Sequence, residues 1–238
     1  KRLSTTGIPN VVIVPFTSSF ANLSAEDYIR DFLVSTFKPS IIFLGHDHHF
    51  GKDREGNLEM LESRSPYYGY KVNRISAYLM DEIAVSSSRI RDLIHKGEMT
   101  GAARLLGYPY QLEGCVIKGD QIGRTMGFPT ANLELTFSKK LLPGDGVYAV
   151  FIQIDNSSSM YRGMMNIGVR PTLEGKKHQI ETHLFDFNQD IYGRKIQVIV
   201  IEQIRKEQKF NNLEELQWQL SRDRQTALQI LNKTNPLK

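Results

Sequence analysis

The sequence predicts two units of different class: an α/β portion first, then an antiparallel β-barrel with a helix at its end. Three observations predict this. Short apolar runs alternate with helix-like segments over the first hundred or so residues. From Tyr110 onward the apolar runs are separated only by turn residues. The last stretch, Leu213–Leu231, returns to helical spacing. Strand–helix alternation is the mark of a parallel sheet with crossover helices. Closely spaced strands without long helices between them argue a barrel.

In the first unit, Val11–Phe16 (VVIVPF) reads as a strand covered on both faces. Ser24, followed by Glu26 and Asp27, is a helix cap with acids in the first turn. Tyr28, Phe32, Leu33 and Phe37 continue that helix, and Pro39 ends it. Ile41–Leu44 is the next strand, Leu58 and Leu61 suggest a helix, and Tyr70–Ile75 reads as a third strand. Ligands on such sheets bind at the carboxyl ends of strands, where GHDHHFGKDREG follows Ile41–Leu44. Ser86-Ser87-Ser88 caps a helix stopped by Gly97, and Met99–Leu106 forms a second, stopped by Gly107. The boundary is expected there, giving units 1–106 and 107–238. In the second unit, Tyr110–Lys118, Val147–Ile154, Met160–Ile167, Gln179–Phe185 and Lys195–Ile204 read as strands.

The bulk numbers narrow the function. With 238 residues, 40% of them hydrophobic, the chain can bury a sizeable core. Its net charge of +4 is scattered, without a Lys/Arg block. That argues against nucleic-acid binding and fits small anionic ligands such as nucleotides. No window has the length of a membrane span, and KRLSTTGIPN lacks the apolar run of a signal peptide, so no membrane partner is expected. A single cysteine, Cys115, excludes an internal disulfide framework and fits a reducing, cytoplasmic setting. Its apolar neighbours suggest a buried structural thiol.

The stretch GDQIGRTMGFPTAN (119–132) draws attention to chemistry. Its glycines, Gly119, Gly123 and Gly127, let backbone amides approach a phosphate. No GK[ST] follows, so this is not the Walker-type loop. Pro129 stiffens the chain before Thr130, Ala131 and Asn132. In an extended chain Thr130 and Asn132 face one side, and both offer hard oxygens suited to Mg²⁺. A cap-and-turn role is the plain alternative. Phosphoryl transfer to an alcohol also needs a proton acceptor. Glu181 and His183 alternate with apolar residues and share one strand face. Pattern alone leans towards a merely polar face. His46, His48 and His49 invite a zinc guess, but no fourth ligand stands nearby, so a metal is not expected there.

The second half resembles the riboflavin kinase family. The resemblance rests on GRTMGFPTAN, Pro143 with GVYAV, Asn166–Thr172 (NIGVRPT), Glu181-Thr182-His183 and Asp190–Gly193 (DIYG), in that order and spacing. It implies a six-stranded Greek-key barrel with ATP and Mg²⁺ at the 119–132 loop. Gly119, Gly123, Arg124, Gly127, Pro129, Thr130 and Asn132 would bind the nucleotide, with Thr130 and Asn132 on the metal. Glu181 would be the base that activates the terminal ribityl hydroxyl of riboflavin, giving FMN. His183 would either orient Glu181 or pack. Tyr192 would contact the flavin, whose ring would lie in a cleft near the C-terminal helix.

The first half resembles the adenylyltransferase module of bacterial bifunctional riboflavin kinase/FAD synthetases, a Rossmann-like nucleotidyltransferase that converts FMN to FAD. The matching pieces are GHDHHFG with Lys52–Glu55, and SSSRIR at 86–91. The resemblance implies flavin contacts at Gly45, Asp47, Phe50 and Gly51. It implies nucleotide contacts at Ser87, Ser88, Arg89 and Arg91, with serine at 88 where the family usually has threonine. The module's first strand and its HxGH-type loop have no match in this chain. The sequence therefore reads as the family without its amino-terminal portion, which is expected to lie outside the given sequence or to have been removed rather than naturally lost. Adenylyltransferase activity is expected to be lacking in the chain as given, and the incomplete sheet is expected to expose apolar surface. The competing readings are a non-catalytic flavin-binding regulator or carrier, and a kinase acting on another small alcohol. A non-catalytic module would be expected to lack Thr130, Asn132 or Glu181, and all three are present.

Overall fold

The computed structural model describes every residue except Lys1, Arg2, Ser4, Thr5, His46, Asp81, Glu82, Asp120, Gln121, Ile122, Arg124, Thr125, Leu173, Glu174 and 236–238. For Met80, Ile83, 170–172 and 175–177 the backbone alone is described. The chain divides into two compact units, Lys1–Ala84 and Val85–Lys238.

In the first unit a short helix α1 (Ser18–Ala21) precedes α2 (Ala25–Asp27). Ser24 caps α2, its Oγ accepting from the Asp27 amide. The turn continues as a π-helix over Tyr28–Phe37 and stops where Lys38 takes a left-handed conformation. Strand β1 (Ile41–Gly45) pairs in parallel with β2 (Lys71–Ile75), and helix α3 (Leu58–Tyr68) connects them. A small antiparallel pair follows, β3 (Leu79–Met80) and β4 (Ile83–Ala84). Ala25, Ile29, Leu44, Phe50, Leu61 and Tyr70 form this unit's core. The Tyr70 hydroxyl is held inside by donating to the Leu61 carbonyl at 2.9 Å.

Val11–Phe16 differs from its expected strand. Val12, Ile13 and Phe16 are exposed, and the segment joins no sheet. An apolar run becomes a strand only when a neighbour takes its hydrogen bonds, and none does so among the described residues. Ile41 and Phe43 of β1 are also exposed.

In the second unit, helices α4 (Ser87–Lys96) and α5 (Met99–Leu106) lead into six strands. These are β5 (Tyr110–Ile117), β6 (Ala131–Leu135), β7 (Gly146–Ile154), β8 (Met160–Thr172), β9 (Gly175–Leu184) and β10 (Lys195–Lys206). They close in the order β10-β5-β6-β9-β8-β7. Strands β7, β8 and β9 form a meander, and β10 returns beside β7, which is the Greek-key arrangement. Helix α6 (Leu213–Asn232) follows the barrel.

Alternation along each strand sorts side chains into two cores. Leu112, Val116, Leu133, Tyr148, Val150, Met165, Ile167, Ile180, Ile196 and Val198 fill the barrel interior, joined by Ile94, Met99 and Ala102 of α4 and α5. Val147, Ala149, Phe151, Met164, Phe185 and Ile199 form the outer layer that Ala227 and Leu231 of α6 cover. Helices α4 and α5 thus belong with the barrel by their packing. Strand β6 was not among the strands read from sequence. Cys115 lies on β5 as a free thiol, half-buried rather than buried.

Candidate active site

The barrel's outer face gathers the polar residues of interest. On β9, Ile180 and Leu184 point inward, so Glu181 and His183 point outward. On β6, Ala131 and Leu133 point inward, so Asn132 points outward. Asn132 pairs with Glu181 in register, and Glu181 pairs with Asn166 of β8 on its other side. Paired residues share a face, which makes Asn132, Glu181 and Asn166 one row across three strands. Thr182 points inward, and its buried hydroxyl has no hydrogen-bond partner among the described atoms.

Asn132 is buried and fixed from two sides. Its Oδ1 accepts from Gln179 Nε2. Its Nδ2 lies where a Cβ on Gly119 would come within 1.9 Å, so only glycine admits the amide there. Gly127 has φ +80, the left-handed region that glycine enters without strain. Between these glycines, the Gly123 carbonyl accepts from the amides of Met126 at 3.2 Å and Phe128 at 2.8 Å, folding the loop on itself. Arg124 lies outside the described residues.

His183 is buried between the rings of Phe128 and Phe185, with centroids 5.3 and 5.6 Å away. Its Nδ1 stands 2.8 Å from the Pro129 carbonyl. Burial lowers its proton affinity below the ordinary value of 6.5, and the Pro129 contact partly opposes that.

Two clefts adjoin this loop. One, of about 410 Å³, is lined by Thr130, Pro129, Val116, Asp190, Ile191 and Tyr192 among others. The second, of about 490 Å³, is lined by Phe128, His183, Phe187, Asn188, Asp186 and Arg224 of α6. Pro129, Leu184, Phe187 and Asn188 line both. Glu181 lies outside the linings of both clefts.

The donor set fits Mg²⁺ bound through phosphate. Thr130 supplies a hydroxyl in the first cleft, and Asn132, buried and outside the linings of both clefts, an amide oxygen. An amide oxygen has two lone pairs, so the bond from Gln179 leaves one available. Among the described residues no cluster of histidine, cysteine, aspartate and glutamate is built to hold a metal by itself. A magnesium ion here would share its ligands with the nucleotide.

The other sequence-predicted residues fall elsewhere. Gly45 ends β1, Asp47 is exposed, and His46 lies outside the described residues. Phe50 is buried, stacked on Tyr28 at 5.2 Å. A Cβ on Gly51 would meet the Ala25 backbone at 2.7 Å, so this part of the loop packs tightly on α2. Ser87, Ser88, Arg89 and Arg91 are exposed in the first turns of α4, where Ser86 Oγ accepts from the Arg89 amide at 3.3 Å. Gln179 and Asn166 were missed by sequence reading. Their signal was available in the shared parity of Gln179 with Glu181 and in the NIGVRPT motif.

Comparison with known proteins agrees with this division. The riboflavin kinase family model matches residues 106–231 and the FAD synthetase model matches residues 1–89. The chain is 37% identical over 236 residues to the bifunctional riboflavin kinase/FMN adenylyltransferase of Escherichia coli, covering 99% of this chain and 74% of that protein. The protein of the same name from Haemophilus influenzae is 36% identical over 222 residues, 93% of this chain and 71% of that one. A solved structure named as a macrolide-efflux protein from Streptococcus pneumoniae superposes with TM-score 0.85 at 34% identity, over 95% of this chain and 72% of that one. Among the described residues no helix is long and apolar enough to cross a membrane. The matches run through both units, and the chain belongs to the bifunctional riboflavin kinase/FMN adenylyltransferase family.

Proposed function

We propose that the second unit transfers the γ-phosphoryl group of ATP to the terminal ribityl hydroxyl of riboflavin, giving FMN. The observation that carries this reading is the Asn132–Glu181 rung. It sets a carboxylate beside the loop whose glycines, Thr130 and Asn132 suit phosphates. Glu181 accepts the hydroxyl proton as the oxygen attacks. Thr130 and Asn132 hold the metal, which would neutralise charge on the phosphates. Gly119, Gly123, Gly127 and Pro129 shape the phosphate loop, and Arg124 binds the nucleotide.

The nucleotide takes the cleft that contains Thr130, and Tyr192 then belongs to that side. The flavin ring takes the neighbouring cleft under α6, whose walls are aromatic. The shared wall at Pro129 and Leu184 is where the two substrates meet, with the ribityl chain reaching over the Asn132–Glu181 row. The first unit belongs to the FMN-to-FAD reaction, with Gly45, Asp47, Phe50 and Gly51 on the flavin side. Ser87, Ser88, Arg89 and Arg91 on α4 are proposed as nucleotide contacts.

Glu181→Gln tests the central role. It keeps the shape and removes the base, so riboflavin binding should persist while turnover falls at least about 100-fold. Turnover equal to the parent's would remove Glu181 from the mechanism.

A further inference from the structure

The Pro129 carbonyl is a pure acceptor, so the His183 nitrogen 2.8 Å away must carry a proton and donate it. This bond falls at a sensitive point. Proline's ring fixes φ of residue 129, and the peptide bond to Thr130 is planar. The one soft torsion left before Thr130 is ψ of Pro129, and the position of the carbonyl oxygen reports that torsion. The imidazole itself has little freedom. It is 8% exposed and meets the edges or faces of Phe128 and Phe185. Phe128, Pro129 and Thr130 are consecutive, so one ring grips the loop through a side chain and through a carbonyl. A second tie on this part of the loop, Gln217 Nε2 donating to the Met126 carbonyl, is exposed and longer at 3.3 Å.

We propose that His183 is a positioning residue of the kinase site: its Nδ1–H holds the Pro129 carbonyl and thereby sets the direction of the Thr130 hydroxyl towards the nucleotide phosphates. The proposal rests on the reading of Thr130 as a phosphate or metal ligand. His183 stands two residues from Glu181 on the same face of β9. One strand therefore fixes the proton acceptor directly and the phosphate loop at one remove. The effect read through Pro129 and Thr130 falls on the nucleotide, in addition to the wall that His183 gives the second cleft.

The test uses the full chain and two amide replacements that differ in reach. Asparagine puts an N–H₂ near the place of Nδ1, whereas glutamine extends past it towards Nε2. Binding of MgADP is measured by calorimetry, alongside KM for ATP and for riboflavin. His183→Gln and His183→Phe are expected to weaken MgADP about 10-fold, the scale of a lost buried hydrogen bond. His183→Asn is expected to stay within about threefold of the parent. Equal MgADP affinity for the asparagine and glutamine variants would overturn the proposal. That comparison decides the matter even if His183→Phe does not fold. Thr130→Ala separates the two readings. If it weakens MgADP while His183→Gln does not, the positioning role fails and the Thr130 reading stands. If Thr130→Ala leaves MgADP binding unchanged, the Thr130 reading fails and the proposal with it.

Discussion

Asp223 is the residue whose loss should most disturb the seating of helix α6. Its side chain is 1% exposed, against 17% for its partner Arg205 on β10. The carboxylate accepts from Arg205 Nε at 3.1 and 3.0 Å and from Gln219 Nε2 at 2.8 Å, and lies 2.9 Å from Arg205 Nη2. Asp223→Leu leaves the guanidinium with the Lys206 carbonyl and the face of Phe210. Removing one member of a buried pair costs roughly 3–5 kcal/mol, because the other charge stays uncompensated. Arg205 reaches solvent in part, so about 3 kcal/mol is expected. In a unit of this size that lowers Tm by roughly 6–12 °C. Trp218, the one tryptophan, sits on α6, so urea unfolding followed by its fluorescence reads the helix directly. Replacing both partners, Arg205→Met with Asp223→Leu, should recover to within about 1 kcal/mol of the parent. Arg224, next along the helix, lines the second cleft, so KM for riboflavin should rise in the single variant. A single variant that loses under about 1 kcal/mol, or a double variant no more stable than it, would refute the reasoning.

Three further outcomes are expected. Gly119→Ala drives a methyl group into the buried Asn132 amide, and kcat/KM for ATP should fall at least about 10-fold with the fold retained, measured by steady-state kinetics and circular dichroism. His183 is held neutral by burial, so the unfolded chain takes up its proton more readily. Its contribution to stability is present above pH 6.5 and is lost as pH falls below that value. The stability of the parent relative to His183→Asn, followed by urea unfolding, should therefore decline from pH 7.5 to pH 5.5; a flat or rising difference would contradict the buried neutral state. A polypeptide of these 238 residues holds no HxGH pair, and incubation with FMN, ATP and Mg²⁺ should yield no FAD by chromatography.

Much of the architecture is legible in local pattern. Tyr110–Ile117 and Lys195–Lys206 announce themselves by apolar content, and α6 by its helical spacing. Strand β6 does not, because ANLEL is short and its partner β9 lies far away in sequence. The shared face of Glu181 and His183 follows from parity alone. The opposition of Glu181 to Asn132 does not, since register is set by how the barrel closes. The contact of His183 with Pro129 is invisible in sequence for the same reason. Asp223 reads as a surface residue on an amphipathic helix until Arg205 is found facing it. Val11–Phe16 failed as a strand because strand propensity is realised only through a neighbour.

The most direct test of the kinase reading is to incubate the chain with riboflavin, Mg²⁺ and ATP labelled at the γ-phosphate, then separate the flavins chromatographically. The account predicts FMN carrying the label in a one-to-one ratio with ADP, and its loss in Glu181→Gln. ADP formed without labelled FMN, or no turnover at all in the folded parent, would contradict it.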